Sequence, residues 1–296
     1  MTIAATQTFL GPAWDELPDV TVLESWPPRE QLPGVEVLLE AVVPVGPDEL
    51  RLLPDLQLVG NYGVGYDNVD VAACGERGIA VTNTPGVLDA AVAELTLALM
   101  LACRRQLVAS DRFVRNARWR TGWSQPEQLG HDLAGATLGL VGMGRIGSEV
   151  ARRAEAFGMQ VVHHRRSDGL PLNKLLRVSD VVSLHVPLTP ETQGLLSRER
   201  LAQLRDGATL VNTARGAIVD ERALVDELVS GRISAGLDVF ADEPLVPERL
   251  LDLPNVVLTP HIASATVETR AAMTRVLVDN VLAFLRGEPL SNEVST

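Results

Sequence analysis

The chain has 296 residues, of which 46% are hydrophobic and 22% charged, and its formal net charge is −12. This length leaves room for about two domains, and the composition is that of a globular protein. The negative charge argues against nucleic acid and anionic membrane surfaces as partners, because phosphates attract basic faces. A small anionic ligand stays possible wherever arginines cluster locally.

The N-terminal segment "MTIAATQTFL" has no basic start followed by an apolar core, so the sequence predicts no signal peptide. No apolar run reaches the length needed to span a membrane. Cys74 and Cys103 are isolated from each other and match neither a disulfide framework nor a metal-ligand spacing. We therefore expect a cytoplasmic protein with no metal and no membrane contact.

In the first third of the chain, β-rich runs at 35–43, 56–60 and 79–83 predict strands. A short helix is expected over Val69–Arg77, where Gly78 ends it. Ala90–Arg105 is apolar on nearly every face and predicts a long buried helix. A second helix is expected over Asp111–Trp119, followed by a polar connector at 121–135.

From Ala136 onward, strand and helix patterns alternate regularly, which is typical of a doubly wound α/β sheet with parallel strands. The predicted strands are 136–144, 160–164, 181–185, 208–212, 234–239 and 255–260. The predicted helices are 145–157, 172–178, 198–204, 221–230 and 268–286. In such sheets, ligands bind at the carboxyl ends of the strands.

The stretch "LVGMGRIG" gives Gly142, Gly144 and Gly147 the G-x-G-x-x-G spacing, after a predicted strand and at the start of a predicted helix. The first glycine permits a tight turn, the second lets backbone approach a pyrophosphate, and the third lets helix and strand pack closely. The helix N-terminus at Arg145 and Ile146 would hold the diphosphate. This context predicts dinucleotide binding.

An acidic residue about 20 positions later usually bonds the ribose hydroxyls of NAD. Here the next strand ends in "VVHHRRSD", with His163, His164, Arg165 and Arg166 at that place. Paired guanidinium groups suit a 2′-phosphate, so the sequence favours NADP(H) over NAD(H). The alternatives are a solvated basic loop and Asp168 as ribose acceptor, which keeps NAD(H) possible.

Three further motifs follow at strand ends: "NTARG" with Arg215, "GLDVFADEP" with Glu243 and "LTPHIAS" with His261. Each of these residues alone would be read as a surface or packing residue. Their occurrence together, behind a dinucleotide turn, favours a catalytic set.

These motifs, with "GVGYDNVD", "IAVTNTPG", "VAELTLALML" and "HVPLTPETQGLL", carry a resemblance that covers most of the chain. The sequence resembles the D-2-hydroxyacid dehydrogenase family, which includes glyoxylate/hydroxypyruvate reductases and 3-phosphoglycerate dehydrogenases. The resemblance implies that Arg215 binds the carboxylate and carbonyl oxygens of a 2-oxo acid. It implies that His261 is the general acid and that Glu243 orients the imidazole and favours its protonated form.

The resemblance also implies binding residues elsewhere. The backbone amides of Val64 and Gly65 would bind the substrate carboxylate, and His185 would lie near the adenosine, although simple packing explains it almost equally well. Further cofactor contacts would come from Pro187, Thr213, Ala214 and Asp238, the last at the nicotinamide amide; a turn or N-cap role is the alternative for Asp238.

By resemblance, the fold is α/β with two Rossmann-like domains, one flavodoxin-like and one dinucleotide-binding. Residues 1–84 and 264–296 would form a discontinuous substrate-binding domain and residues 85–263 the dinucleotide-binding domain. Relatives dimerise through the region corresponding to Ala90–Trp123, so a homodimer is expected.

The leading hypothesis is a reductase of small 2-oxo acids, such as glyoxylate or hydroxypyruvate, that uses NADPH. One alternative is an NAD-dependent dehydrogenase of the same family, for example one acting on 3-phosphoglycerate. A second alternative, from another class, is a dinucleotide-sensing protein like the family's transcriptional corepressors.

Overall fold

The structure is a computed structural model that describes residues 2–120, 122 and 128–294. The chain forms two compact units, Met1–Leu88 with Ser264–Thr296, and Asp89–Ala263. The sequence places the first boundary after residue 84 and the structure places it after residue 88, whereas both place the second after residue 263. Of the region expected to dimerise, Thr121 and Trp123 lie outside the described residues.

The first unit contains a parallel sheet of five strands in the order β2-β1-β3-β4-β5. These strands are β1 (Thr2–Ala5), β2 (Val20–Val22), β3 (Val35–Glu40), β4 (Leu58–Asn61) and β5 (Ala80–Thr82). This is the flavodoxin-like order, as expected.

Two short helices, α1 (Pro47–Leu52) and α2 (Val71–Glu76), connect these strands, and a long helix, α9 (Val267–Leu285), returns to the same unit. Asp70 caps α2 by accepting a hydrogen bond from Ala73 N, and Thr266 caps α9 by accepting one from Thr269 N. Leu38 and Val59 pack with Leu50 and Cys74 in one buried cluster, which covers one face of the sheet. The helix α9 contacts β4.

The second unit contains six parallel strands in the order β11-β10-β9-β8-β6-β7. They are β6 (Thr137–Val141), β7 (Gln160–His164), β8 (Val181–Leu184), β9 (Thr209–Asn212), β10 (Ser234–Leu237) and β11 (Val256–Leu258). The chain reverses direction across the sheet beside β6, which lies between β7 and β8. The carboxyl end of β6 is therefore the position where a doubly wound sheet binds its ligand.

Helices cover both faces of this sheet. The helices are α3 (Asp89–Arg104), α4 (Leu107–Arg115), α5 (Arg145–Ala156), α6 (Leu172–Val178), α7 (Arg198–Leu201) and α8 (Glu221–Val229). One buried cluster joins α3 and α5 to strand residues such as Leu138 and Val211, and another joins α6, α7 and α8 to residues such as Leu210 and Leu237. Among the described residues, no helix is long and apolar enough to cross a membrane.

The prediction of a helix over Asp111–Trp119 is wrong by about one turn, because the helix α4 runs over Leu107–Arg115. Asp111 lies inside the helix and pairs with Arg115 one turn later, at 2.8 Å. The helix ends before Ala117, which has a positive φ of 53°. An alanine in the sequence gives no indication of a positive φ, so this helix end could not be predicted.

Candidate active site

Arg215 lies three residues beyond the end of β9, in a turn that the side chain of Asn212 holds. Asn212 Nδ2 donates to Arg215 O at 2.9 Å, and Ala214 N donates to Asn212 Oδ1 at 3.0 Å. Arg215 also donates from Nη1 to Ala214 O at 2.8 Å. An asparagine at the carboxyl end of a strand thus orients the backbone that carries the cation.

Gly216 brings this turn against the segment that contains Glu243. A Cβ at Gly216 would lie 1.9 Å from the carbonyl carbon of Phe240, so only glycine fits. Phe240 N in turn donates to Glu243 Oε1 at 3.0 Å. The loops that follow β9 and β10 are consequently packed together, with Arg215 close enough for its charge to act on Glu243.

Glu243 and His261 form the central pair of the site, with Nδ1 of the imidazole 2.7 Å from Oε2 of the carboxylate. Burial raises the pKa of the Glu243 carboxyl. The hydrogen bonds from His261 and Phe240 N, with the charges of His261 and Arg215, outweigh burial and hold the pKa below its ordinary value. Glu243 is therefore ionised at neutral pH and can only accept the hydrogen bond from His261.

This assignment leaves the other ring nitrogen of His261, Nε2, to exchange a proton with a bound molecule. Both side chains keep partial access to solvent, with 31% of the His261 and 26% of the Glu243 side chain exposed. A carboxylate that binds Nδ1 stabilises the imidazolium and fixes the plane of the ring. The pair can thus protonate a carbonyl oxygen or, in reverse, deprotonate a hydroxyl.

Asp238, at the end of β10, holds the turn on which His261 lies. Its carboxylate accepts from Thr259 Oγ1 at 2.6 Å, Ile262 N at 2.8 Å and Ala263 N at 2.8 Å, while its backbone O accepts from His261 N at 2.9 Å. These bonds support a left-handed backbone at His261, with φ of 52°. Burial raises the pKa of the Asp238 carboxyl, although the three hydrogen bonds and the His261 charge partly oppose it.

The glycine turn after β6 has the geometry of a dinucleotide site. Gly142 has φ of 100°, and a Cβ there would lie 2.4 Å from His185 O; a Cβ at Gly147 would lie 2.3 Å from Gly142 O. At Gly144, by contrast, a Cβ would meet nothing within 4 Å. Two glycines thus serve the packing of strand, turn and helix, and the middle one leaves open space where a pyrophosphate would approach the N-terminus of α5.

The end of β7 lies directly beside this turn, because Gly142 N donates to His164 O at 3.0 Å. Arg165 and Asp168 close a tight turn, with Arg165 N donating to Asp168 O at 3.0 Å. Their side chains form an ion pair in which Nε and Oδ1 are 3.4 Å apart. The predicted basic residues therefore lie where the adenosine ribose of a bound dinucleotide is expected.

The remaining predicted cofactor residues lie at the start of α5 or on the loops after β8 and β9. Arg145 and Ile146 form the first turn of α5, where Arg145 lies 3.6 Å from Asp89. Thr213 Oγ1 is hydrogen-bonded to Thr96 Oγ1 at 3.0 Å, and Pro187 O accepts from Thr192 Oγ1 at 2.6 Å.

His185 Nε2 is 2.8 Å from Ser183 Oγ. Burial lowers the pKa of His185 to about 4, so its ring is neutral.

In the first unit, asparagine side chains bond the backbone carbonyls of the loop at 63–65. Asn61 Nδ2 donates to Gly63 O at 3.2 Å and to Gly65 O at 2.9 Å, and Asn83 Nδ2 donates to Val64 O at 2.9 Å. Within the described part of the chain, the amides of Val64 and Gly65 donate to no acceptor. Successive amides with occupied carbonyls form a concavity that suits an anion.

The bonds from Ile262 N and Ala263 N to Asp238 are those of the turn role that the sequence left open as the alternative for this residue. Sequence reasoning missed three other residues that shape these loops: Asn61, Asn83 and Asn212. The available signal was an asparagine that follows an apolar strand and precedes a glycine-containing turn, because its side chain can bond to nearby backbone.

Residues 97–263 match the model of the D-isomer specific 2-hydroxyacid dehydrogenase family, NAD-binding domain. The chain belongs to this family. Its glyoxylate reductase relative from Korarchaeum cryptofilum is 48% identical over 265 residues, which are 85% of this chain and 80% of the relative.

Solved structures of the family agree over nearly the whole chain. An NADPH-dependent glyoxylate/hydroxypyruvate reductase from Sinorhizobium meliloti, in complex with NADP and malonate, has a TM-score of 0.88 at 36% identity and covers 99% of this chain and 96% of its own. A D-lactate dehydrogenase from Aquifex aeolicus, in complex with NAD and lactic acid, has a TM-score of 0.87 at 31% identity, with 99% of each chain covered. As a member of this family, the chain is an oxidoreductase with a nicotinamide-dinucleotide domain.

Proposed function

We propose that the protein reduces small 2-oxo acids, with glyoxylate and hydroxypyruvate as the best candidates, to D-2-hydroxy acids with NADPH. The hydrogen bond between His261 Nδ1 and Glu243 Oε2, 2.7 Å long, is the observation that carries this proposal. It makes His261 an oriented proton donor, and Arg215 supplies a cation that suits a carboxylate. His261 and Arg215 follow the strands β11 and β9 of the nucleotide-binding sheet. The glyoxylate and hydroxypyruvate reductases among the relatives support this substrate class.

When bound, the nicotinamide cofactor supplies the hydride that the carbonyl carbon accepts. Arg215 binds the oxygens of the 2-oxo acid through its planar two-donor fork and stabilises negative charge on them. His261 gives its Nε2 proton to the carbonyl oxygen, which becomes the hydroxyl of the product. Glu243 keeps the imidazole oriented and stabilises its charged form before the proton leaves.

The amides of Val64 and Gly65 bind the substrate carboxylate in this proposal. Their lack of an acceptor within the described residues, and the hydrogen bonds that turn the neighbouring carbonyls away, support the assignment. Asp238 supports the His261 turn, and its contact with the nicotinamide amide stays a prediction, as do the contacts of Pro187, Thr213 and Ala214.

The preference for NADPH rests on Arg165 and Arg166. Arg165 is about half exposed beside the glycine turn, and the charge of Arg166 reaches Glu191 on the loop after β8. Two guanidinium groups at this edge can bind a 2′-phosphate with several charge-assisted hydrogen bonds. The position of Asp168 on the same turn, together with the NAD complex of the D-lactate dehydrogenase, keeps an NAD-dependent dehydrogenase as the second candidate.

The double variant Arg165→Ala/Arg166→Ala tests this cofactor preference. Loss of two charged hydrogen-bond donors should weaken NADPH binding by about tenfold or more and change NADH binding by less than about threefold. Equilibrium titration of each cofactor measures both constants. The matched control is Arg198→Ala/Arg249→Ala, which removes two arginines that pair with Asp226 on the same unit. Equal losses for NADPH and NADH would contradict the assignment.

We also propose that the protein is a cytoplasmic homodimer. Exposed apolar side chains cluster along α4 and the segments that flank it, where Leu107, Val114, Trp119 and Leu129 are each more than half exposed. Such a concentration is typical of an interface between subunits. The two unpaired thiols, Cys74 and Cys103, suit a reducing compartment.

A further inference from the structure

The turn at residues 165–168, here called the basic turn, is closed by backbone hydrogen bonds. The hydrogen bond from Arg165 N to Asp168 O joins its first and last residues. An antiparallel β-bridge pairs the flanking residues, His164 and Gly169. Gly169 has φ of 88°, and a Cβ there would lie 2.3 Å from His163 O. The side chains of Arg165 and Asp168 therefore start from adjacent backbone positions.

Asp168 lies close to the side chains of Arg165 and His163 at this edge of the sheet. Its Oδ1 is 3.4 Å from Arg165 Nε and accepts from Ser167 Oγ at 3.3 Å, while its Oδ2 is 3.6 Å from His163 Nε2. About half of each partner is in solvent, with 48% of the Arg165 and 54% of the Asp168 side chain exposed. A ligand from solvent can thus reach the guanidinium and the carboxylate alike.

A 2′-phosphate bound by Arg165 would meet the carboxylate of Asp168 within a few ångströms. The phosphate carries about 1.5 to 2 negative charges at neutral pH, so it would compete with Asp168 for the same guanidinium and be repelled by its charge. The two ribose hydroxyls of NADH carry no charge and would not be repelled.

We propose that Asp168 is a specificity-determining residue that limits the preference of this site for NADPH. In the free protein its carboxylate pairs with Arg165, and this ion pair has to break when Arg165 binds a 2′-phosphate. Breaking it reduces the free energy of NADPH binding but not that of NADH binding. The basic turn therefore accepts both cofactors with a smaller difference than its two arginines alone would give. The inference rests on the proposed binding of NADPH by Arg165 and Arg166.

The variant Asp168→Asn keeps the size and the hydrogen-bonding capacity of the side chain and removes its charge. Titration calorimetry with NADPH and NADH should give a dissociation constant for NADPH that is about three- to tenfold lower than in the parent protein, and an NADH constant that is unchanged or higher. The matched control is Asp226→Asn, because Asp226 also pairs with arginines at an exposed site, at 2.9 Å from Arg198 and 3.0 Å from Arg249. It should change neither constant.

Three results would overturn the inference: NADPH binding that is unchanged or weaker in Asp168→Asn, equal tightening of both cofactors, or the same gain in Asp226→Asn. Weaker NADH binding with unchanged NADPH binding would make Asp168 a ribose acceptor instead. The double variant Arg165→Ala/Arg166→Ala separates this failure from that of the proposed function. NADPH binding that is insensitive to the loss of Arg165 and Arg166 contradicts the proposed function, whereas a failed Asp168→Asn test with arginine-dependent NADPH binding contradicts this inference alone.

Discussion

In the proposed reaction, His261 is the proton donor and Glu243 is the negative charge that orients it. The hydrogen bond of 2.7 Å and the lowered pKa of Glu243 keep a negative charge beside the imidazole at neutral pH. Because the pKa of Glu243 is lowered, its carboxylate beside His261 stays charged at any pH above the ordinary pKa of a glutamate. That charge is lost only as pH falls through the lowered pKa of Glu243 in the folded protein. Acid should therefore impair the site only well below neutral pH.

Glu40 is a second unusual carboxyl, at the end of β3, with no exposed surface. Oε2 accepts from Asn68 Nδ2 at 2.9 Å and from Val43 N at 3.4 Å, whereas Oε1 has no partner among the described residues. Burial raises the pKa of Glu40 to about 7, although the bonds from Asn68 and Val43 partly oppose it. The folded protein thus holds a proton that the unfolded chain releases at lower pH.

This shift predicts a loss of stability as pH rises. The folded pKa lies above the unfolded one, so stability falls between about pH 4.5 and 7 and the loss, about 3 kcal/mol, is complete above pH 7. Glu40→Gln cannot ionise and should lack this slope. Urea unfolding of both proteins from pH 5 to 8.5 measures the difference, and curves that stay parallel would refute the assignment.

In the strand–turn–helix element at 137–156, Gly142 and Gly147 are needed for close packing, whereas Gly144 has open space beside it. We expect Gly147→Ala to destabilise the protein by about 1–3 kcal/mol, because its methyl group would lie 2.3 Å from Gly142 O. Gly144→Ala has open space and a φ of −82°, so it should unfold like the parent and bind dinucleotide at least about tenfold more weakly. Urea unfolding and cofactor titration test both variants. A destabilised Gly144→Ala, or one with unchanged affinity, would contradict this division.

The elements of the nucleotide-binding sheet could be predicted because each strand there is a buried apolar run bounded by turn residues. The strand β7 and the helix α6 have the predicted bounds, and the strand predicted at 208–212 differs from β9 by one residue. The strands β1 and β2 and the helix α1 were missed: they have four, three and six residues, and β2 is mostly exposed, so they show no clear periodicity.

The motifs of the sequence indicate the residues of the candidate catalytic set, but not the geometry that joins them. The bond between His261 and Glu243 depends on Gly216 packing against Phe240 and on Asp238 holding the His261 turn. These contacts link residues far apart in sequence, and spacing alone does not specify them. The pairing of Asp168 with Arg165 was likewise not predicted, because it depends on the backbone hydrogen bond that closes the basic turn.

At the scale of the whole molecule, a net charge of −12 opposes the binding of anions such as 2-oxo acids and NADPH. Local cations therefore have to supply the attraction, and the three arginines that the proposal uses, at positions 165, 166 and 215, lie on loops that follow parallel strands of one sheet. In the proposed function, the cations that attract the anionic ligands thus lie after the carboxyl ends of strands.

Reduction of 2-oxo acids by NADPH, with His261 as the acid, can be tested by following NADPH and NADH oxidation with glyoxylate, hydroxypyruvate, pyruvate and phenylpyruvate, in the parent protein and in His261→Gln. We expect faster turnover with NADPH than with NADH, greatest with glyoxylate or hydroxypyruvate. In His261→Gln we expect turnover to fall by about 100- to 10,000-fold, with nearly unchanged cofactor affinity. Turnover with NADH alone would contradict the cofactor assignment. Undiminished turnover in His261→Gln would contradict the role of His261 as the acid. No turnover in the parent protein, despite tight dinucleotide binding, would contradict the proposed reductase activity.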